Sequence, residues 1–349
     1  MRTSTSAPTI EIVHHAPPGR LNEDAWLLMQ HGPLGDHILF AAIDGATTRL
    51  NPPPLKRYLE SRSDKLTPAA YSARLVRDSL ARLVAEGLFS DLRALLLEAN
   101  ADLARDLIKH LGALTLEAMD FPPDVYAALA HDPRLVRLGL PASVITLAEY
   151  DPAAGEIRWA HVGDTMLFVA YQDGRVVIPT HPDVAVFDSE VKRNARKFRD
   201  THAHLSYREL INSPEMRQQT VYNALYHNYV DEYNLPQPNH GIGVLDGLPE
   251  LRYFIQTGHF FVDEVSFVCA LTDGLEWPAS SFEAFASDPA AAEACRQERL
   301  AHMAATLSER GLSGYLTLLR QTEADDPDHE NYPRFKTHDD ATGILLRFS

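Results

Sequence analysis

Apolar residues follow two rhythms along this chain. Short apolar runs bounded by turn residues alternate with longer segments whose apolar positions recur every three or four residues. Residues 38–43 of HILFAAIDGATT and 267–271 of SFVCALTDGLEW are short runs rich in strand formers, and they predict buried strands. Each run ends in Asp-Gly. Between 142 and 178 the period is two: ASVITLAEY and EIRWAHVGD flank the turn DPAAG, and MLFVAY and RVVIP flank Gln172-Asp173-Gly174. Tight hairpins cannot join parallel strands, so this sheet is antiparallel. ATGILLRF predicts a last strand, and EIVHHAPPGRLNEDAWLL places two apolar stretches around a polar turn.

The longer rhythm marks helices. Thr67-Pro68 offers an N-cap followed by proline in the first turn, and Leu75, Val76, Leu80, Leu83, Val84 and Leu88 then form one face. A second helix is expected from Ser90, as N-cap, to about Leu111, with the stripe Leu95, Leu96, Ala99, Leu103 and Leu107. An Ala-rich helix is expected over 280–321, and residues 180–250 are polar, irregular and proline-containing. Helical blocks enclosing antiparallel hairpins predict a layered α+β domain over 9–349, behind a loose N-terminus at 1–8, with a helical block at about 55–130.

Composition narrows the function. With 349 residues, 45% of them hydrophobic, the chain can bury a large core. A formal net charge of -16 argues against nucleic acid or an anionic membrane as partner, though bound cations can still bring an anionic substrate. The two cysteines, Cys269 and Cys295, form no disulfide framework or zinc pattern. The beginning MRTSTSAPTI lacks a signal-peptide block, and no stretch has transmembrane length; a cytoplasmic protein is expected.

The chemistry lies in the acids. Asp44 and Asp273 follow apolar strands, Asp339 precedes one, and Glu23-Asp24 stands just before another. Each alone reads as a turn or cap residue, since Asp-Gly is common punctuation. If the strands pack into one core, their ends converge, and clustered carboxylates then require a cation. Oxygen-only ligation favours hard ions such as Mg²⁺ or Mn²⁺, and two such ions suit in-line attack on phosphorus.

The ordered series NEDAW, AAIDGAT, ASVITL, HVGDT, ALTDGLEW and HDDATGILLRF resembles the type 2C metal-dependent serine/threonine protein phosphatases, in a divergent bacterial-type form. The resemblance implies two antiparallel sheets packed face to face between helices, an α/β/β/α sandwich. It implies two Mn²⁺ or Mg²⁺ ions, with room for a third, and hydrolysis without a covalent phosphoenzyme. By position, Asp44 resembles the bridging metal ligand and Gly45 a carbonyl ligand, Asp273 and Asp339 further ligands, and Glu23 and Asp24 holders of metal-bound waters. Asp164 resembles a third-metal ligand, and Arg20 the phosphate-binding arginine, whose fork matches phosphate oxygens. Thr342 and Ser143 are expected to hydrogen-bond near the site. Residues 180–250 correspond to the family's variable flap.

The sequence also departs from the family pattern. Arg20 stands three residues before Glu23, where four are usual. Ala46 follows Asp44-Gly45, where many members have His; Glu276 and Trp277 stand near the place of a second Asp, and Asp340 replaces the usual Asn. Three functions stay open: a phosphatase of phosphoserine or phosphothreonine in a signalling protein substrate, a weak or inactive phosphatase-like regulatory module, and a small-metabolite phosphatase. Other features have plainer readings. Lys192, Arg193, Arg196, Lys197 and Arg199 read as a solvated helix face, EADDPDHE as a solvated loop, and His14-His15 as ordinary strand residues on opposite faces.

Overall fold

A computed structural model of the chain describes residues 7–32, 35–46, 48–182, 184, 194–195, 197–214, 216, 226–231, 241–279, 289–334 and 336–348. Among the described residues, ten strands form two antiparallel five-stranded sheets. One is ordered β1 (Thr9–His15), β10 (Ala341–Arg347), β9 (Val265–Leu271), β6 (Met166–Tyr171) and β7 (Val176–Val177). The other is ordered β2 (Ala25–His31), β3 (His37–Ala46), β4 (Ala142–Asp151), β5 (Glu156–Val162) and β8 (Gln256–Phe261).

Alternation sorts the side chains into layers. Phe40, Ala42, Tyr150, Trp159, Leu167, Val268 and Ile344 fill the space between the sheets. The opposite face of the β2–β8 sheet, including Leu39, Ala41, Ile43 and Leu147, packs on α1 (Pro53–Ser61), α2 (Pro68–Ala85) and α3 (Leu92–Leu111), with α4 (Pro123–Leu129) alongside. Farther along the chain come the short α5 (Tyr207–Ile211) and α6 (Pro289–Ala324). The outer face of the other sheet, with Phe168, Phe267, Cys269 and Leu345, packs on Met303, Leu307 and Tyr315 of α6. The result is the expected α/β/β/α sandwich. Among the described residues no helix is long and apolar enough to cross a membrane.

Local signals explain most element ends. The Thr67 side chain accepts from Ala70 N–H, with Pro68 at the first helical position. The cap of α3 differs from expectation: Asp91, not Ser90, accepts from Ala94 N–H. A carboxylate is the stronger acceptor, and the Ser90 hydroxyl only donates to it at 3.3 Å. The expected helix over 280–321 is α6, broken at Gly311, whose φ of 66° no ordinary helical residue adopts. The Leu312 N–H at the break donates to Glu11 Oε2 of β1 at 2.8 Å. Residues 280–288 of that expected helix lie outside the described residues, as do Lys192, Arg193 and Arg196 of the basic cluster.

Candidate metal centre

Asp44 does not sit in a turn. It lies inside the ladder of β3, opposite Val144, with Gly45 opposite Ser143. Gly45 adopts no positive φ. Its role is close approach: a Cβ there would stand 2.6 Å from the Glu23 carbonyl oxygen and 2.7 Å from that of Ala69. Gly274 is likewise at negative φ, and a Cβ on it would stand 1.7 Å from the Asp340 carbonyl oxygen. Both Asp-Gly pairs therefore mark places where two backbones meet beside a carboxylate.

Asp273 opens a short 3-10 turn, Asp273–Leu275, directly after β9. The Tyr315 hydroxyl of α6 donates to the Leu275 carbonyl at 2.8 Å and fixes that turn from outside. Thr272, just before it, ties three elements together. Its hydroxyl donates to Asp24 Oδ2 at 2.9 Å, and its Oγ accepts from the Thr342 N–H at 3.0 Å. The Asp24 N–H donates to Asn22 Oδ1 at 2.9 Å, and the Glu23 N–H to Asp340 Oδ2 at 2.7 Å. The N-terminal acids are thereby fastened to the segment that carries Asp339. Ser143 and Thr342 are fully buried, and the Ser72 hydroxyl donates to Ser143 Oγ at 3.1 Å.

The carboxyls converge from four distant parts of the chain. Asp44 and Asp273 approach within hydrogen-bond reach. Burial, and then the charges of Asp24, Asp273 and Asp164, push the Asp44 carboxyl well above the usual carboxylate range. Asp24 is raised by burial and by Asp273 and Asp340, against the opposing bond from Thr272. Asp273 reaches the surface at one edge, yet the protein packed around its carboxyl, and then Asp339, raise it too. Carboxylic acids held this way resist ionising together unless a cation joins them.

One cation is already there. Lys336 Nζ lies 2.6 Å from Asp339 Oδ2 and 2.7 Å from Oδ1. Burial alone would lower the ammonium, but Asp273, Asp339 and Asp44 outweigh it and hold it above its ordinary range. A single ammonium facing several acids leaves the cluster net negative. Among the described residues, no three of these carboxylates bring ligand atoms within 4.8 Å of one another. Repelling acids spread in this way, and an all-oxygen donor set fits hard divalent ions.

The remaining expected residues are placed less centrally. Asp164 follows β5 in a turn opened by Gly163 at φ 91° and faces Asp44 closely enough to raise it. Arg20 is exposed, in a turn after β1 where its N–H donates to the Pro17 carbonyl; its charge is felt at Asp340. Glu276 is paired with Arg299 Nη1 at 3.0 Å, and Trp277 is buried in the core under α6. Sequence reasoning missed Lys336, Thr272 and His14. The His14 Nδ1 meets Thr342 Oγ1 at 2.8 Å, so one of the two histidines set aside as ordinary borders the site. Thr272 and Lys336 each stand within three residues of an acid that was singled out, which is the only sequence signal they carry.

The profile of the protein phosphatase 2C family matches residues 13–317. The chain belongs to that family. Its fold is also that of the protein phosphatase 2C structures. The serine/threonine phosphatase Stp1 from Staphylococcus aureus is 13% identical, with 99% of this chain and 96% of that one covered and a TM-score of 0.50. The Mycobacterium tuberculosis phosphatase PstP/Ppp is 13% identical over 98% of this chain and 99% of that one, with a TM-score of 0.46. RsbX in complex with magnesium is 10% identical over 99% of this chain and 98% of that one, with a TM-score of 0.47. No curated protein sequence gave a significant match to this chain. Protein phosphatase 2C enzymes are metal-dependent hydrolases, and in this chain Asp24, Asp44, Asp273 and Asp339 converge at one end of the sandwich.

Proposed function

We propose that the chain hydrolyses phosphomonoesters of serine or threonine in proteins, and that residues 9–349 act as one phosphatase domain in which 180–250 corresponds in sequence to the family's variable flap, much of it outside the described residues. The observation that carries this reading is the convergence of Asp44, Asp273 and Asp24, each with its acidity weakened first by burial and then by at least one neighbouring carboxylate of the cluster. Asp44, the Gly45 carbonyl, Asp273 and Asp339 would hold two Mn²⁺ or Mg²⁺ ions, with Asp164 available to a third. Bound ions supply an acidified water nucleophile and neutralise charge on the phosphoryl oxygens.

The chain's own groups do the rest. Glu23 and Asp24 would hold water by accepting its hydrogen bonds, and the Thr272 hydroxyl fixes Asp24 by donating to its Oδ2. Arg20, on its exposed turn, is free to fork onto the phosphate of an arriving substrate. Ala46 has no proton to give, so the leaving alkoxide takes its proton from solvent.

Lys336 supports a second reading, a regulatory module with weak or no catalysis, because its ammonium competes with a metal for Asp339. One experiment separates the two. The phosphatase reading expects Mn²⁺-dependent hydrolysis of p-nitrophenyl phosphate and of phosphopeptides, lost in Asp44→Asn and in Asp273→Ala with circular dichroism unchanged. Unaltered turnover in both variants defeats it. A folded wild-type protein that neither binds Mn²⁺ in calorimetry nor turns over supports the module.

A further inference from the structure

The opposite end of the β2–β8 sheet holds a different set of ligating atoms. His31 ends β2 and His37 begins β3, and the two are direct partners in the ladder. Glu149 lies on β4 beside them, opposite Leu39. All three project from the helix-facing side of the sheet, because they continue the alternation of Leu27, Leu39 and Leu147. They extend beyond the C-terminal end of α2, where Phe89 packs edge-on against His31 with ring centroids 6.0 Å apart.

The two imidazoles aim at one oxygen. His31 Nε2 lies 3.0 Å and His37 Nδ1 3.2 Å from Glu149 Oε1. His31 Nε2 is fully covered and, among the described residues, has no partner in hydrogen-bond alignment despite that short distance. The Glu149 side chain is only 7% exposed. His31, His37 and Glu149 are the one group of three such residues, among the described residues, whose ligand atoms all lie within 4.8 Å of one another.

The surroundings match what a metal requires. A tetrahedral zinc ion with bonds of about 2.0–2.1 Å separates neighbouring ligand atoms by about 3.3 Å, close to the 3.0 and 3.2 Å that separate the two nitrogens from Glu149 Oε1. The second nitrogen of His37 faces Asp151 Oδ1 at 3.7 Å, and Arg158 holds Asp151 Oδ2 at 3.1 Å. A ligating imidazole is commonly oriented by such an outer carboxylate. Arg158 also reaches Glu149 Oε2 at 3.4 Å, leaving Oε1 to the histidines. Gly32 keeps the turn tight at φ 91°, and a Cβ there would press on the His37 ring at 3.0 Å.

We propose that His31, His37 and Glu149 bind one zinc ion, with Asp151 orienting His37. Two imidazoles and one carboxylate suit Zn²⁺ and leave a fourth position for water. This site is separate from the acidic cluster, whose oxygen donors suit harder ions, and its existence does not depend on phosphatase activity. The ion would clip the β2–β3 hairpin to β4.

The test uses chelator-stripped full-length protein titrated with Zn²⁺ alone, in the Asp44→Asn background so that the acidic cluster contributes less. One equivalent is expected to bind and to raise the melting temperature. Glu149→Gln and the His31→Ala/His37→Ala double variant should lose that equivalent, and Asp151→Asn should weaken it roughly 10-fold. Co²⁺ in the same site should give visible absorption that Zn²⁺ displaces. If the histidine variants do not fold, Glu149→Gln, which keeps a hydrogen-bond partner for both rings, gives the same reading. Zinc stoichiometry and affinity unchanged in Glu149→Gln and Asp151→Asn would overturn the proposal, as would no binding by the wild-type chain.

Discussion

The α-carbon of Gly274 faces the carbonyl oxygen of Asp340 so closely that a Cβ would stand 1.7 Å from it. That contact seats the Asp273 turn against the segment carrying Asp339. Gly274→Ala should therefore part the two, costing about 2 kcal/mol or more in urea unfolding and more activity than the lost folded fraction explains. Gly45→Ala, facing the Glu23 and Ala69 carbonyls, should behave alike. Wild-type midpoints and turnover in both would show that these backbones yield freely.

Lys336 and a divalent ion compete for Asp339. Lys336→Ala is expected to tighten Mn²⁺ binding in calorimetry roughly 3- to 10-fold, a modest gain because the ammonium is half-exposed. The metal-free variant should be less stable than wild type, having lost the cation that offsets repelling acids. Weaker Mn²⁺ binding would instead show that Lys336 supports the centre.

Asp24 is buried beside other acids and would give up its charge readily. Asp24→Asn keeps an oxygen for the Thr272 hydroxyl while removing that charge. The metal-free fold should gain about 1 kcal/mol at pH 7, while activity falls. Thermal melts with and without Mn²⁺ check both halves, and a destabilised metal-free variant contradicts the electrostatic account.

His161 supplies a pH dependence. It is fully buried, with Nε2–H donating to the Gly163 carbonyl at 3.1 Å and Nδ1 3.0 Å from Thr146 Oγ1. Burial pushes its imidazole down to about 4 from an ordinary 6.5. In the folded chain the ring stays neutral, whereas the unfolded chain takes up a proton below about 6.5. Its stabilisation is complete above that pH and is lost as pH falls toward 4, amounting to ~3 kcal/mol. Urea unfolding at pH 7 and pH 4.5 should show a larger drop for wild type than for His161→Gln. Equal drops would assign the acid lability elsewhere.

Local elements were legible in the sequence because local chemistry makes them: the hairpins around DPAAG and Gln172-Asp173-Gly174, the Thr67 cap, the stripe of α3. Neighbouring β1 and β2 fall in different sheets, since β1 pairs with β10, more than three hundred residues away. No local pattern encodes that choice. The acids were visible at strand ends, but Asp44-Gly45 looked like a turn because a glycine needed for close backbone approach has the same spelling as one needed for positive φ. Lys336 was invisible for a simpler reason: a lysine three residues before an aspartate is ordinary surface sequence until the fold sets it against Asp339 beside the other acids. His31, His37 and Glu149 meet only through the register of three strands.

Asp44 is held in the ladder by Val144 of β4, and its neighbour Ile43 pairs with Ala25 of β2, whereas Asp339 stands in an irregular stretch outside any strand. The acidic cleft is thus stiff along one wall and compliant along the other. Adjustments needed to admit ions of different radius, or to expel Lys336, should fall on residues 336–340, so metal preference could drift through changes in that short stretch while the sandwich beneath it stays as it is.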